Sequence, residues 1–234
     1  MLKKFRPALW PTVITLPLLA LLIVLGTWQV MRLGWKRDLI STTESQLKVP
    51  PAELPAFGVD PEQFNYRPVT VRGTFHHDKE IYLIAHTKRG EFGYHVITPL
   101  ERTDGGFVLV NRGWVPTLGR DPLTRLEGQL TGVQGVRGIS RKPWRQGSFV
   151  PDNDPAKNVW FYGDLAGMAA HWGLDVAPVF VEADTTANPG GWPKGGQTKL
   201  KFTNNHLQYA VTWYSLALVL LVIYLLYHRR EGRL

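Results

Sequence analysis

The 234-residue sequence contains no cysteine. That absence excludes disulfides, thiol nucleophiles, thiolate zinc sites, Cys-ligated iron–sulfur clusters and copper transfer through cysteine pairs. Charge is missing from two long stretches: the 25 residues between Arg6 and Arg32, and the 21 from Leu207 to Tyr227, contain no Asp, Glu, Lys, Arg or His. Crossing the hydrocarbon core of a bilayer takes about 20 apolar residues, so both stretches are long enough and a wholly soluble chain is excluded. Signatures of covalent chemistry are also lacking. No His-Glu-x-x-His or Gly-x-Ser-x-Gly occurs, so neither zinc-protease nor esterase catalysis is supported. Gly191–Thr198 has the glycines of a phosphate loop, but Gln197 stands where its lysine should be. Asp152-Asn153-Asp154 lacks the glycine and bidentate glutamate of a calcium loop and reads as a turn.

What charge there is has a telling distribution. The formal net charge is +8, yet residues 42–193 carry 15 basic and 17 acidic groups. The positive excess sits beside the apolar stretches, where it can meet anionic lipid headgroups. A nucleic-acid-binding protein would carry a basic stripe on its folded domain, so no nucleic-acid partner is expected.

The first stretch follows Lys3, Lys4 and Arg6, as a signal peptide would. It is too long for one, and Trp28-Gln29-Val30-Met31-Arg32 follows instead of a cleavage site; it reads as an uncleaved anchor. Trp10, Trp28 and Trp35 lie near its ends, where indoles favour the membrane interface. The organisation expected is a basic cytoplasmic tail over 1–9, a transmembrane helix over 10–31, a periplasmic domain with its connectors over 32–203, a second transmembrane helix over 204–227 and a basic cytoplasmic tail over 228–234. Two spans put both termini on one side, and short basic tails place that side in the cytoplasm. Without an Arg- and Ser-rich import leader, a multi-pass protein of the bacterial inner membrane is the expectation.

Between the spans, short β-type runs are punctuated by Gly, Pro, Asn and Asp. Val69–Phe75, Glu80–Ile84, Phe92–Leu100, Phe107–Trp114, Gly132–Ile139, Val159–Tyr162 and Val179–Ala183 are candidate strands, with Asp104-Gly105-Gly106 as a hairpin turn. One helix is expected over Leu165–Trp172, capped by Asp164 and stopped by Gly173. The predicted fold is thus membrane α+β: two transmembrane helices flanking an antiparallel β-rich extracytoplasmic domain, a small barrel or sheet, with one helix. Val49–Pro61 and Asn188–Gly196 read as connectors.

Among the histidines, His76 and His77 sit on a turn and read as solvated, and His86 and His95 lie at strand ends. His206 opens the second span and shares a helical face with Tyr209, Ala210, Trp213 and Ala217. Two readings fit that face. The imidazole can be an axial ligand to haem iron, with the alanines leaving room for a flat macrocycle, or it can be an interfacial residue beside an aromatic belt. Near the outer end of the first span, Arg32, Lys36 and Arg37 can pair carboxylates such as haem propionates or snorkel to lipid phosphate. Periodicity leaves both choices open.

Leu25-Gly26-Thr27-Trp28-Gln29-Val30-Met31-Arg32-Leu33-Gly34-Trp35-Lys36 closely resembles the first-span signature of the surfeit locus protein 1 family. Tyr66–Val69, Gly73–Phe75, Val108–Pro116, Pro151–Pro155, Trp160–Tyr162 and Asn188–Gly191 continue the resemblance in order, and Asn205–Tyr214 closes it. The resemblance covers about residues 10 to 227. It implies an assembly factor for a haem–copper cytochrome c oxidase that binds haem a and assists its insertion into the catalytic subunit. His206 then resembles the haem-ligating residue and Trp213 a neighbour in the haem site, with Tyr209, Arg32 and Lys36 as further candidates for the cofactor. The implied partners are oxidase subunits, above all the haem-bearing one, with the haem a synthesis machinery and membrane lipids. No enzymatic activity is expected. The competing reading is an accessory subunit or scaffold that stabilises the oxidase membrane domain without haem. Arg112 and Trp114 are candidate surface contacts of the periplasmic domain, against a strand-end arginine and a core tryptophan, and for Trp114 the core reading is preferred.

Overall fold

A computed structural model describes residues 6–86, 90–198, 200 and 202–233. The chain divides into a helical unit, residues 1–42 with 201–234, and a β-rich unit, residues 43–200.

The helical unit holds most of α1 (Leu9–Leu47) and all of α4 (His206–Arg230). Both are long and apolar enough to cross a membrane, and only 11% and 17% of their most apolar windows is buried. A core helix of a soluble protein would be enclosed; these turn their Leu, Ile and Val side chains outward, as a lipid-facing helix does. The helix α1 does not stop at Met31, where the apolar stretch ends. Residues 32–47 contain no proline, and helix propensity carries the chain on until Pro50 and Pro51 forbid it.

In the β-rich unit, β1 (Ala52–Glu53), β2 (Pro68–Phe75), β3 (Ile81–His86), β4 (Phe92–Arg102), β5 (Phe107–Pro116), β6 (Val133–Arg141) and β7 (Val176–Ala183) form one seven-stranded sheet, ordered β1-β2-β6-β7-β5-β4-β3, with the one-turn helix α2 (Pro61–Phe64) between β1 and β2. An additional β2–β4 pairing, Gly73↔Arg102 through Phe75↔Leu100, closes it into a small barrel. Closure depends on Gly73, where a Cβ would fall 2.1 Å from the Glu101 carbonyl oxygen. Most pairings are antiparallel, as expected; β1–β2 and β5–β7 are parallel. The parallel β5–β7 pair arises because β6 and α3 (Leu165–Trp172) intervene in the chain, giving the long crossover that parallel neighbours need.

Alternation along β2 points Val69 and Val71 inward, where they meet Leu54, Leu100, Val108, Val110, Val179 and Val181. A second cluster, with Ile97, Leu109, Phe180 and Trp160, packs beneath Leu165 and Met168 of α3. Asp164 caps α3 by accepting from the Gly167 N–H, and Gly173 ends it with φ +60°, as their positions predict.

Three expectations for this unit change. Val49–Pro61 is no mere connector, because β1 pairs with β2 and Leu54 is fully buried. Asn188–Gly196 is built into the wall: Lys194 and Trp114 exchange both backbone hydrogen bonds at 2.9 Å. Gly113, at φ +126°, permits that approach, since a Cβ there would lie 2.1 Å from the Lys194 oxygen. Val159–Tyr162 makes isolated bridges to Leu83 and Asp154 in place of a strand, with Trp160 buried.

Candidate functional site

The paired helices form an antiparallel seam. On α1 the less exposed positions recur at alternating spacings of three and four: Thr12, Thr15, Leu19, Leu22, Gly26, Gln29, Leu33 and Lys36. On α4 they are His206, Ala210, Trp213, Ala217, Leu220, Tyr224 and His228. This is the pattern of two helices meeting along a knobs-into-holes stripe. Small residues let membrane helices approach closely; a Cβ on Gly26 would lie 2.8 Å from the Tyr214 ring, and Ala210 and Ala217 are buried.

Polar side chains sit at both ends of the seam. At one end the Ala8 N–H donates to His228 Nε2 at 3.0 Å, His228 Nδ1 donates to the Tyr224 carbonyl at 2.8 Å, and the Thr12 and Tyr224 hydroxyls share a 2.7 Å bond. At the other, Thr27 and Tyr214 share a 3.1 Å bond and His206 Nδ1 lies 2.7 Å from Gln29 Oε1. Three of these contacts, Ala8–His228, Thr12–Tyr224 and Thr27–Tyr214, tie one helix to the other, as does His206–Gln29.

His206 is the first residue of α4 and is half-buried. Its Nδ1 is engaged by Gln29, and its Nε2 makes no hydrogen bond among the described residues. Trp213 lies two turns further along the same stripe, between Ala210 and Ala217. Tyr209 lies off the stripe and is exposed, so it flanks His206 from outside the helix contact. Arg32 is also off the stripe. Its guanidinium stacks over Trp35 at 4.7 Å and lies 5.9 Å from the Trp28 ring centre, which holds its charge at the mouth of the span. Lys36 continues the Gln29 face about 10 Å along the axis at 1.5 Å per residue, with its ammonium 5.9 Å from the Phe202 ring centre. The helix pair thus presents an imidazole whose Nε2 has no hydrogen-bond partner among the described residues, an aromatic flank and two cations at one end of an apolar span. An apolar macrocycle with anionic edge groups fits that donor set: nitrogen for iron, aromatic surface for the ring and cations for carboxylates.

The barrel has a separate charged centre. Glu80, at the entry to β3, accepts two hydrogen bonds from Arg125, one of them at 3.0 Å, and one from the Tyr82 hydroxyl at 3.0 Å. Arg112 lies 3.7 Å from the same carboxylate and His77 Nδ1 3.5 Å. Burial by itself pushes the Glu80 carboxyl up, but hydrogen bonds from His77 and Arg125 and the two guanidinium charges outweigh it and hold it at about 2. Burial lowers Arg112 to about 10, which leaves it charged at neutral pH. Arg112 also donates to the Gly128 carbonyl and Asn188 Oδ1 and packs over Phe75 at 4.9 Å. Arg112 is therefore not a surface contact, and Trp114 is the core tryptophan of the two readings its sequence position offered. β5 is covered on both faces, so its inward and outward side chains are alike enclosed. His77 is not solvated either, because its Nε2 reaches the Leu130 carbonyl at 3.0 Å. His76 pairs with Glu101 at 2.8 Å, and His171 packs edge-on to Trp160 and Trp172. Among the described residues no group of His, Asp and Glu could hold a metal ion by itself. Asn153 of the Asp-Asn-Asp turn accepts from the Phe161 N–H at 2.8 Å.

Two features escape one-dimensional reading. Glu80, Arg112 and Arg125 are far apart in the sequence, and no spacing rule links them. Gln29 and His206 are separated by 177 positions; a polar residue in each otherwise apolar span was the visible signal, and only the antiparallel register makes them partners.

The chain is similar to known proteins over both long helices and the barrel. The SURF1 family profile matches residues 16–218. Surfeit locus protein 1 of Rattus norvegicus is 41% identical over 207 residues, covering 82% of this chain and 67% of its own length. The Homo sapiens protein of the same name is 41% identical over 209 residues, covering 82% and 69%. A SURF1-like protein of Monosiga brevicollis is 38% identical over 220 residues, covering 89% and 84%.

Proposed function

From the chain's membership of the SURF1 family, we propose that it is an assembly factor for a haem–copper cytochrome c oxidase, holding haem a and passing it to the catalytic subunit. The observation that carries this reading is His206, whose Nδ1 is tied to Gln29 while its Nε2 makes no hydrogen bond among the described residues. Bound haem would supply an iron centre open to a nitrogen ligand. His206 would hold the iron through Nε2, Trp213 and Tyr209 would offer aromatic surface beside it, and Arg32 and Lys36 would pair the propionates. A ligand at the mouth of a span lets an apolar ring lie at bilayer depth while its charged edge stays at the interface, avoiding the cost of burying carboxylates. The role needs no covalent step, and we assign no enzymatic activity.

The partners in this reading are oxidase subunits, chiefly the haem-bearing one, with the haem a synthesis machinery upstream and lipid around the helices. The membrane is the bacterial inner membrane, with both basic tails in the cytoplasm and the barrel in the periplasm. The test is an optical spectrum of detergent-purified protein from cells that make haem a. A haem spectrum at substantial stoichiometry is expected. Colourless protein from such cells would instead make it a non-haem scaffold of the oxidase membrane domain.

A further inference from the structure

We infer that Gln29 is the positioning residue for the His206 ligand: its side-chain oxygen takes the Nδ1 proton and so fixes the ring's rotation and tautomer, leaving Nε2 as the nitrogen with the free lone pair. This inference rests on the reading of His206 as an iron ligand. Its own support is geometric. Gln29 Oε1 lies 2.7 Å from His206 Nδ1. Gln29 is 8% exposed in a turn where Trp28, Val30 and Met31 are exposed, so its carboxamide points into the seam and not to lipid. Gly26, one turn earlier on the same stripe, lets the Tyr214 ring lie where a Cβ would intrude, and this brings the helices close enough for so short a bond.

A neutral imidazole has one donor and one acceptor nitrogen. With the proton held at Nδ1, Nε2 is the unprotonated nitrogen, the form that binds metal. An acceptor on the distal N–H also raises the basicity of the ligating nitrogen and locks the ring plane. A carboxamide oxygen is a weaker acceptor than a carboxylate. The pairing therefore gives a ligand that is oriented but only moderately strengthened, which suits a protein that must release what it holds.

The test uses the full chain in detergent, titrated with ferric haem a in the Soret region and then potentiometrically. Gln29→Leu should weaken haem affinity about ten-fold or more and raise the midpoint potential. Gln29→Glu should keep the affinity and lower the potential, because a carboxylate draws harder on the Nδ1 proton and favours ferric iron. His206→Ala, run alongside, separates this inference from the reading beneath it. If His206→Ala retains haem, the ligand assignment itself fails and the inference with it. If His206→Ala loses haem while Gln29→Leu keeps wild-type affinity and potential, the ligand assignment stands and the role of Gln29 is overturned. Should leucine loosen the helix pair, Gln29→Glu decides alone, and an unchanged potential in that variant overturns the inference.

Discussion

Glu80 and Arg125 form a two-pronged ion pair inside the barrel, with both side chains 1% exposed. A fully enclosed carboxylate is tolerated only when charge and hydrogen bonds replace the lost water. Here Arg125, Arg112, Tyr82 and His77 replace it, and Gln129 donates at 3.3 Å. The cluster joins β3, β5 and the segment between β5 and β6, so its loss should be felt throughout the barrel.

Acid should reveal this. The Glu80 carboxyl falls from 4.5 to about 2 on folding. Its contribution is therefore present above the unfolded-state value and is lost as pH falls from 4.5 towards 2. At 1.36 kcal/mol per pKa unit the amount is about 3 kcal/mol. Urea unfolding of the detergent-solubilised chain, followed by tryptophan fluorescence, should show stability falling through that window, and Glu80→Gln should flatten the dependence. Glu80→Leu should be worse at neutral pH, by about 3–5 kcal/mol, because it strands buried guanidinium groups.

His206→Ala should leave the protein inserted and its barrel folded, since one side chain adds little to a span already about 20 residues long. Haem occupancy of the purified protein should nevertheless collapse. Leu207 has no donor atom and Gln208 is a poor iron ligand, so no neighbour substitutes. Trp213→Ala should lose less, about 0.5–1.5 kcal/mol beyond area burial. An unaltered haem spectrum in His206→Ala would leave His206 as an interfacial residue bonded to Gln29.

Arg32→Gln combined with Lys36→Gln should weaken haem retention if these cations meet propionates, at about 1.5–3 kcal/mol for each charge-assisted bond. Arg32 lies over Trp35 and beside Trp28, so its charge is held at the mouth of the span. Washing the purified protein with haem scavengers measures retention directly. Unchanged retention with normal insertion would assign both cations to lipid phosphate.

Membrane orientation can be read with reporter fusions. A reporter active only in the cytoplasm should give signal when fused after Leu234 and none when the chain is cut and fused after Val49. The opposite pattern would reverse the orientation and move His206 to the inner leaflet.

The sequence by itself determined the elements whose cause is local. Missing charge marks the two spans because one ion in hydrocarbon outweighs any propensity. Alternation in Val69–Phe75 and the Asp104-Gly105-Gly106 turn mark strands because side chains on a strand alternate faces. Asp164 and Gly173 bracket a helix because its ends need a cap and a left-handed stop. The His206, Ala210, Trp213 and Ala217 stripe was legible for the same reason, since helical period is a property of one segment; Tyr209, counted on that face by its spacing, lies outside the contact. Tertiary structure alone decided the contacts between segments. The β2–β4 pairing that closes the barrel, the enclosure of Arg112, the use of Ala52–Glu53 as an edge strand and the meeting of Glu80 with Arg125 all depend on register between distant pieces of chain. So does the bond from His206 to Gln29: an apolar span states which residues are polar, but only the antiparallel register of two helices states which of them become partners.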